Sequence, residues 1–333
     1  MNKNLGSDAI GIKNNSYIND LLNLSQYLAT SLVNNLKIVS FSLLNKGVKQ
    51  NDFVTCTDLR FKKGDLGNQL FKYAVIRKYS FDYDVPILLP HSNQHRLGEF
   101  KIECEYYDKN VLELFSNNRY YEKHFHYNSG ALSYAYKKDF YGYYQTEKYF
   151  IDIKDILFKE LELKDNRKTI EARERIQSIR ENNPEKKIVS IHVRRGDFVP
   201  SEVAYSDGFT NYSPKRYLRH PLMPADYYRS ASQRFENAIF LIFSDTEKDI
   251  KWCKENLGIQ DAVYYHNEDL IDFKMMQLSD HNIISNSTFS WWSAWLNGNK
   301  KKRIISPKKE NWFGKDLAHY NMDDLIPTEW EQL

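Results

Sequence analysis

Residues 189–199, "VSIHVRRGDFV", close an apolar run with His192, Arg194, Arg195, Gly196 and Asp197. Charge packed at the end of a strand-like run fits four uses: a solvated loop, an adhesive Arg-Gly-Asp tripeptide, a nucleic-acid contact, or an anion site in an enzyme. Taken alone, Arg-Arg-x-Asp reads as ion pairs on a solvated loop, because surface charge pairs contribute little. The surrounding chain has to decide between them.

Outward from that stretch the pattern alternates strand and helix. "IVSIHV" (188–193), "AIFLIF" (238–243), "AVYYH" (262–266), "NIIS" (282–285) and "RIIS" (303–306) are short apolar runs. Between them lie helical segments at 225–235, 247–258, 269–279 and 287–298, one of them closed by Gly258. Five such runs separated by helices predict a parallel sheet covered on both faces. In open α/β sheets ligands sit beyond the carboxyl ends of the strands. Those ends carry His192, Arg194, Arg195 and Asp197; then Ser244 and Asp245; then Asn286, Ser287 and Thr288.

The first half has the same grammar. "FVTCTDLRF" (53–61) reads as a strand, "GDLGNQLFKYAVIRKYSF" (64–81) as a glycine-bearing turn entering a helix, and "VPILLP" (85–90) as the next strand. The expected organisation is a helical N-terminal extension over 1–50, one α/β domain over 51–180, a second over 185–310, and a tail over 311–333 that packs back on the fold.

The 47 basic and 44 acidic residues leave a net charge of +3, which argues against nucleic acid. The cysteines, Cys56, Cys104 and Cys253, are far apart and lack metal-ligand spacing, which fits a reduced, cytoplasmic protein without structural zinc. The polar start has no apolar secretory core, and no run of about 18 apolar residues could span a bilayer. Any membrane contact is therefore expected to be peripheral. Aromatic residues make up 15% of the chain, and the flat face and polar edge of Tyr and Trp suit sugars, bases and interfaces alike.

Two arginines at a strand end, beside a glycine that admits a ligand to the backbone, read as a diphosphate clamp. Ser287, Thr288 and Ser290 open a predicted helix, where unpaired N–H groups favour an anion, although the same hydroxyls are ordinary helix caps. Asp245 could hold a metal, act as a base, accept the paired donors of a guanine edge, or cap the next helix. Gly64 and Gly67 do not complete the dinucleotide pattern, and no P-loop is present. Asn68 and Gln69 offer amides to phosphate or sugar. Asp82-Tyr83-Asp84 looks like a metal-binding D-x-D, but it follows a helix and precedes a strand, so it reads as a solvated turn.

Six segments in order, "GDLGNQLFKYA", "FYGYYQTEKYF", "IHVRRGDFV", "PADYYRSA", "FSDTEKDIKWCKEN" and "HNIISNSTFSWWSAWLN", resemble glycosyltransferase family 11, the α-1,2-fucosyltransferases. The resemblance runs from about Gly64 to about Trp312. It implies an α/β fold of GT-B type, two Rossmann-like domains across a cleft, with GDP-fucose as donor, inversion at fucose and no essential metal. By motif position, Arg194 would contact the β-phosphate, while His192 and Asp245 would address the nucleoside. Ser287, Thr288, Phe289 and Ser290 would line the diphosphate. Arg195 belongs to the same donor set, and Gly67, Asn68 and Gln69 would reach in from the other domain.

The implied reaction is direct displacement by the 2-hydroxyl of a galactose-terminated glycan, free or lipid-linked. Asp197 is the expected base and Glu202 its reserve; Tyr143 and Gln145 are the expected acceptor contacts. Gly64-Asp65, "FSDTEKD" and Ser293 depart from the family pattern. Two rival readings share the fold: another fucosyl linkage such as α-1,6, and a non-catalytic nucleotide-sugar or glycan binder.

Overall fold

The computed structural model describes residues 52–59, 66–107, 109–110, 112, 116, 118–200, 205–206, 211–212 and 215–333. The helix expected within 1–50, the Gly64-Asp65 pair and Glu202 lie outside these residues.

The first half forms strands β1 (Val54–Thr55), β2 (Leu88–Pro90), β3 (Glu105–Tyr107), β4 (Asn118–Tyr121) and β5 (Lys138–Tyr141), and every pairing among them is parallel. β5 lies between β1 and β4, and a parallel bridge from Val54 to Ile87 leads on to β2 and β3. Helix α1 (Leu66–Tyr83) follows β1 and buries Leu70, Phe71, Ala74 and Val75. It ends at the Asp82-Tyr83-Asp84 turn, where Asp82 pairs with Lys78 and Asp84 takes a φ of 50°.

Strands β4 and β5 have no apolar run to announce them. Their sequences are NRYY and KDFY, and the buried polar groups are satisfied one by one. Asp139 accepts from the Thr57 N–H at 2.9 Å, the Thr57 hydroxyl at 2.7 Å and Arg119 Nε at 2.8 Å. The Lys138 ammonium donates to the Ala131 and Ser133 carbonyls at 2.6 Å and lies over the rings of Tyr79, Tyr120 and Phe140. Each buried charge therefore has partners, as burial requires.

Helices α2 (Lys154–Glu160) and α3 (Arg167–Asn182) connect the halves. Asn166 and Thr169 form a capping box that starts α3, whose Ala172 and Ile176 pack into the second half's core with Ile188 and Leu241. The second half then runs through β6 (Lys187–Val193), the short antiparallel pair β7 (Tyr205–Ser206) and β8 (Asn211–Tyr212), α4 (Ala225–Ser232), β9 (Ala238–Ser244), α5 (Glu247–Asn256), β10 (Ala262–Tyr265), α6 (Asp269–Leu278), β11 (His281–Ile283), α7 (Thr288–Trp295), β12 (Ile304–Ser306) and β13 (Glu331–Gln332). The sheet order is β10-β9-β6-β11-β12-β13, parallel throughout. Every expected strand of this half is present within a residue or two, and β13 adds a sixth from the tail.

The largest apolar cluster crosses from one layer to the other. Phe71 of α1 lies 4.6 Å from Trp291 and 5.0 Å from Trp292 of α7, and Phe150 stacks on Trp292 at 5.4 Å. A Cβ on Gly67 would come within 2.3 Å of the Thr288 carbonyl carbon, so the glycine is what lets the starts of α1 and α7 touch. Two parallel α/β layers joined in this way and facing across a cleft form the GT-B arrangement.

Candidate functional site

Between the layers lies a cleft of about 1700 Å³, bordered by the carboxyl ends of β5, β6 and β9 and by the start of α7. β6 delivers His192 and Arg194 to it. The Arg194 guanidinium binds the Asp245 carboxylate and, at 2.5 Å, Asp197 Oδ1; it also lies 4.9 Å from the Phe198 ring. Asp197 Oδ2 is 2.5 Å from Arg216 Nε. Two arginines and two aspartates thus form a chain of alternating charge at the heart of the cleft.

Gly196 sits in the middle of this chain with φ +31°, and a Cβ there would press on Asp245 at 3.1 Å. Its bareness allows the Arg195 N–H to reach Asp245 Oδ2 at 2.7 Å. The Arg195 side chain goes elsewhere: Nε approaches Asp249 at 3.2 Å and the guanidinium covers the Trp252 ring at 3.8 Å. It is thereby outside the cleft lining and fastens β6 to α5. The cap of α5 is Thr246, whose hydroxyl accepts from Asp249 N–H, so Asp245 is spared for the arginine.

His192 is buried, with Nδ1 3.0 Å from the Ser285 hydroxyl and its ring 5.6 Å from Phe289. Burial, and then Arg194, push its pKa down to about 3, so the imidazole is neutral. Ser287, Thr288 and Phe289 line the cleft at the start of α7, where the Ser287 side chain makes no capping bond. The helix therefore offers its first N–H groups toward the cleft. Ser290 is fully buried and turns its hydroxyl back to the Ser287 carbonyl at 3.2 Å.

From the opposite layer, Asn68 and Gln145 meet: Gln145 Nε2 donates to Asn68 Oδ1 at 2.8 Å. Tyr143 stands over the same region, 44% exposed, with the Lys72 ammonium 5.5 Å from its ring. Lys72 also pairs with Asp58 at 2.6 Å. Gln69 is buried and accepts from the Arg96 N–H at 2.7 Å, which leaves it, like Gly67, Ser290 and Arg195, behind the cleft wall.

Sequence reading missed several lining groups. Arg216, Arg219 and His220 come from the segment before α4, and the cationic run "KRYLRH" was their signal. His220 stacks on Phe198 at 4.9 Å and 13°; burial, then Arg216, Arg194 and Arg219, depress its pKa to about 3. Asp272 of α6 accepts from Asn267 Nδ2 at 2.6 Å, and burial raises its pKa to about 7. No periodicity could have marked Asp272, which looks like any polar residue of an amphipathic helix. Among the described residues no group of three or more His, Cys, Asp or Glu side chains could hold a metal ion, and no helix is long and apolar enough to cross a membrane.

The cleft thus brings Arg194 at a strand end and Arg216 and Arg219 from the segment before α4 into one lining with an uncapped helix start, in an α/β fold of GT-B type. The chain belongs to glycosyl transferase family 11, whose profile matches residues 27–331. It is 30% identical over 207 residues to the alpha-1,2-colitosyltransferase of Escherichia coli, covering 59% of this chain and 62% of the relative. To the O-antigen biosynthesis glycosyltransferase WbnK of Escherichia coli it is 34% identical over 147 residues, 41% of this chain and 43% of the relative. The galactoside alpha-(1,2)-fucosyltransferase 2 of Gorilla gorilla gorilla is 25% identical over 249 residues, 71% and 67% of the two chains. The first two matches thus span less than two thirds of those relatives' length. Among solved structures the chain is similar to fucosyltransferase NodZ from Bradyrhizobium, with 12% identity, 78% of this chain and 96% of that one covered, and a TM-score of 0.45.

Proposed function

We propose that this protein is an inverting fucosyltransferase that moves L-fucose from GDP-fucose to the 2-hydroxyl of a galactose in an oligosaccharide or surface polysaccharide. The observation that carries the reading is the juxtaposition of Arg194 with the open start of α7 in a cleft shared by two parallel layers. The family's named relatives, an alpha-1,2-colitosyltransferase and alpha-(1,2)-fucosyltransferases, support the linkage.

In this reading the diphosphate lies against the α7 N–H groups, with Ser287 and Thr288 beside it and Arg194 exchanging one carboxylate contact for a phosphate. Arg216 and Arg219 add positive charge nearby. Such groups accelerate transfer because they hold the departing diphosphate more strongly than the bound donor. They also do the work that a metal would do, so no metal is required. His192 and Asp272, both in the cleft lining, are the groups this reading assigns to the nucleoside.

Both oxygens of Asp197 already face guanidinium groups, so it serves better to fix Arg194 and Arg216 than to take a proton. The base then falls to His220. Its imidazole is neutral, lies in the same half of the cleft, and has no hydrogen-bond partner on the ring among the described residues. Burial is the larger cause of its low proton affinity; a bound diphosphate would offset the smaller one, the three guanidiniums around it, and shift that affinity upward. The acceptor O–H proton would go to the imidazole as the new C1–O bond forms and GDP leaves. Asn68, Gln145 and Tyr143 are the acceptor-side contacts. Work on a lipid-linked acceptor would be peripheral to the membrane.

Incubation with GDP-fucose and a panel of galactosides, with linkage read by NMR, tests the reading; an α-1,2 product is expected. Turnover of GDP-mannose with none of GDP-fucose would overturn it. The colitosyl relative supports a second reading, a deoxyhexose donor other than fucose in the same cleft, which would appear as preference for GDP-colitose in the same assay.

A further inference from the structure

Strands β4 and β5 end in aromatic rings at paired positions: Tyr121 lies opposite Tyr141 in the parallel register. Their rings are 5.1 Å apart, and Tyr121 is 56% exposed. Tyr141 belongs to the cleft wall, so Tyr121 stands one ring outside the rim.

This strip is held rigidly. The Arg119 guanidinium lies 5.6 Å from the Tyr141 ring and is itself fixed by Asp139 at 2.8 Å and Thr57 at 2.9 Å. Past Tyr141 the chain turns at Gly142, φ +155°, where a Cβ would strike that of Glu122 at 2.4 Å. Glu122 accepts from the Tyr143 and Tyr144 N–H groups at 2.6 and 3.0 Å. The turn therefore sets Tyr143 beside Tyr141 in the cleft lining, with the exposed Tyr121 next to Tyr141 outside it. Exposed rings fixed in place beside a polar cleft suit a ligand with alternating C–H faces and hydroxyls, because tyrosine supplies a flat apolar face and a polar edge at little entropic cost.

We propose that Tyr141 and Tyr121 form an outer acceptor subsite for the sugar units that follow the terminal galactose, which makes the preferred acceptor an oligosaccharide longer than a disaccharide. This rests on the glycan-acceptor reading above. Titration calorimetry of the full chain with galactose-terminated di-, tri- and tetrasaccharides, in the presence of GDP, tests it. Affinity should rise with length by about three- to tenfold, the range of one aromatic stacking contact. Tyr121→Ala should abolish that rise and leave the disaccharide unchanged, while Tyr121→Phe should retain it.

Affinity independent of length, equal losses for short and long glycans, or no glycan binding would overturn the subsite. A parallel assay of fucose transfer separates the two readings. Length-dependent binding that needs Tyr121, without transfer from GDP-fucose, would sink the donor assignment and keep the subsite. Transfer at equal kcat/KM to short and long acceptors in both proteins would do the reverse.

Discussion

Arg194 makes two carboxylate contacts before any ligand arrives, so its place is fixed without the donor. Replacing it by Ala removes the charge and leaves each aspartate one partner, Arg216 for Asp197 and the Arg195 N–H for Asp245. Turnover should therefore fall by about 10²–10³, the usual loss for one donor to a developing anion, while the melting temperature changes little. Near-normal turnover would refute the clamp. Asp197 and His220 separate in their pH profiles. Asp197→Asn should lower kcat and keep the profile's shape, because the change loosens Arg194 and Arg216 and leaves His220 in place. His220→Ala should lower kcat by about 10²–10⁴ and erase the acidic limb of the kcat profile. The opposite assignment of the limb would return the base to Asp197.

At the scale of elements, the start of α1 against the start of α7 is the contact on which the cleft depends. Gly67→Ala would drive a methyl into the Thr288 backbone, a collision that a flexible side chain cannot relieve. The expected cost is about 1–3 kcal/mol, with weaker GDP binding because Thr288 moves; denaturant titration and calorimetry would read both. The family motif marks this glycine, but its physical role was illegible in the sequence, because the partner lies far along the chain. The same distinction runs through the fold. β6 and β9 were legible because buried parallel strands are continuous apolar runs. β5 was not, since its Asp139 and Lys138 are buried through pairing that no local pattern encodes, and β4 was not, since NRYY is a short, mostly exposed edge strand. Strand-end clusters pointed to Arg194 and Ser287, whereas the aim of the Arg195 side chain was set by Trp252 on a neighbouring helix.

Across the whole molecule, the two layers are held by a shared aromatic core and by polar ties such as the paired Arg96–Asp269 contact at 2.5 and 2.9 Å and Trp295 Nε1 to Glu147 at 2.8 Å. The joint carries a titrating group. Asp272, buried in α6 at the cleft, has a folded-state pKa near 7 against 3.8 for an ordinary aspartate. A raised carboxyl pKa means that the folded state binds the proton more tightly than the unfolded chain, so this group subtracts stability as pH climbs through that interval and subtracts most above it. Asp272→Asn removes the titration and keeps an oxygen for the Asn267 amide. The variant and the wild type should converge in stability near pH 4, and the variant should gain on the order of 2–4 kcal/mol relative to wild type by pH 8, as urea unfolding at a series of pH values would read. Parallel curves for the two proteins would show that Asp272 is ionised without penalty in the folded chain. Because the proposed donor site assigns Asp272 to the nucleoside, GDP affinity should change in the same variant, and should do so most toward pH 8, where most of the wild-type carboxyl is ionised.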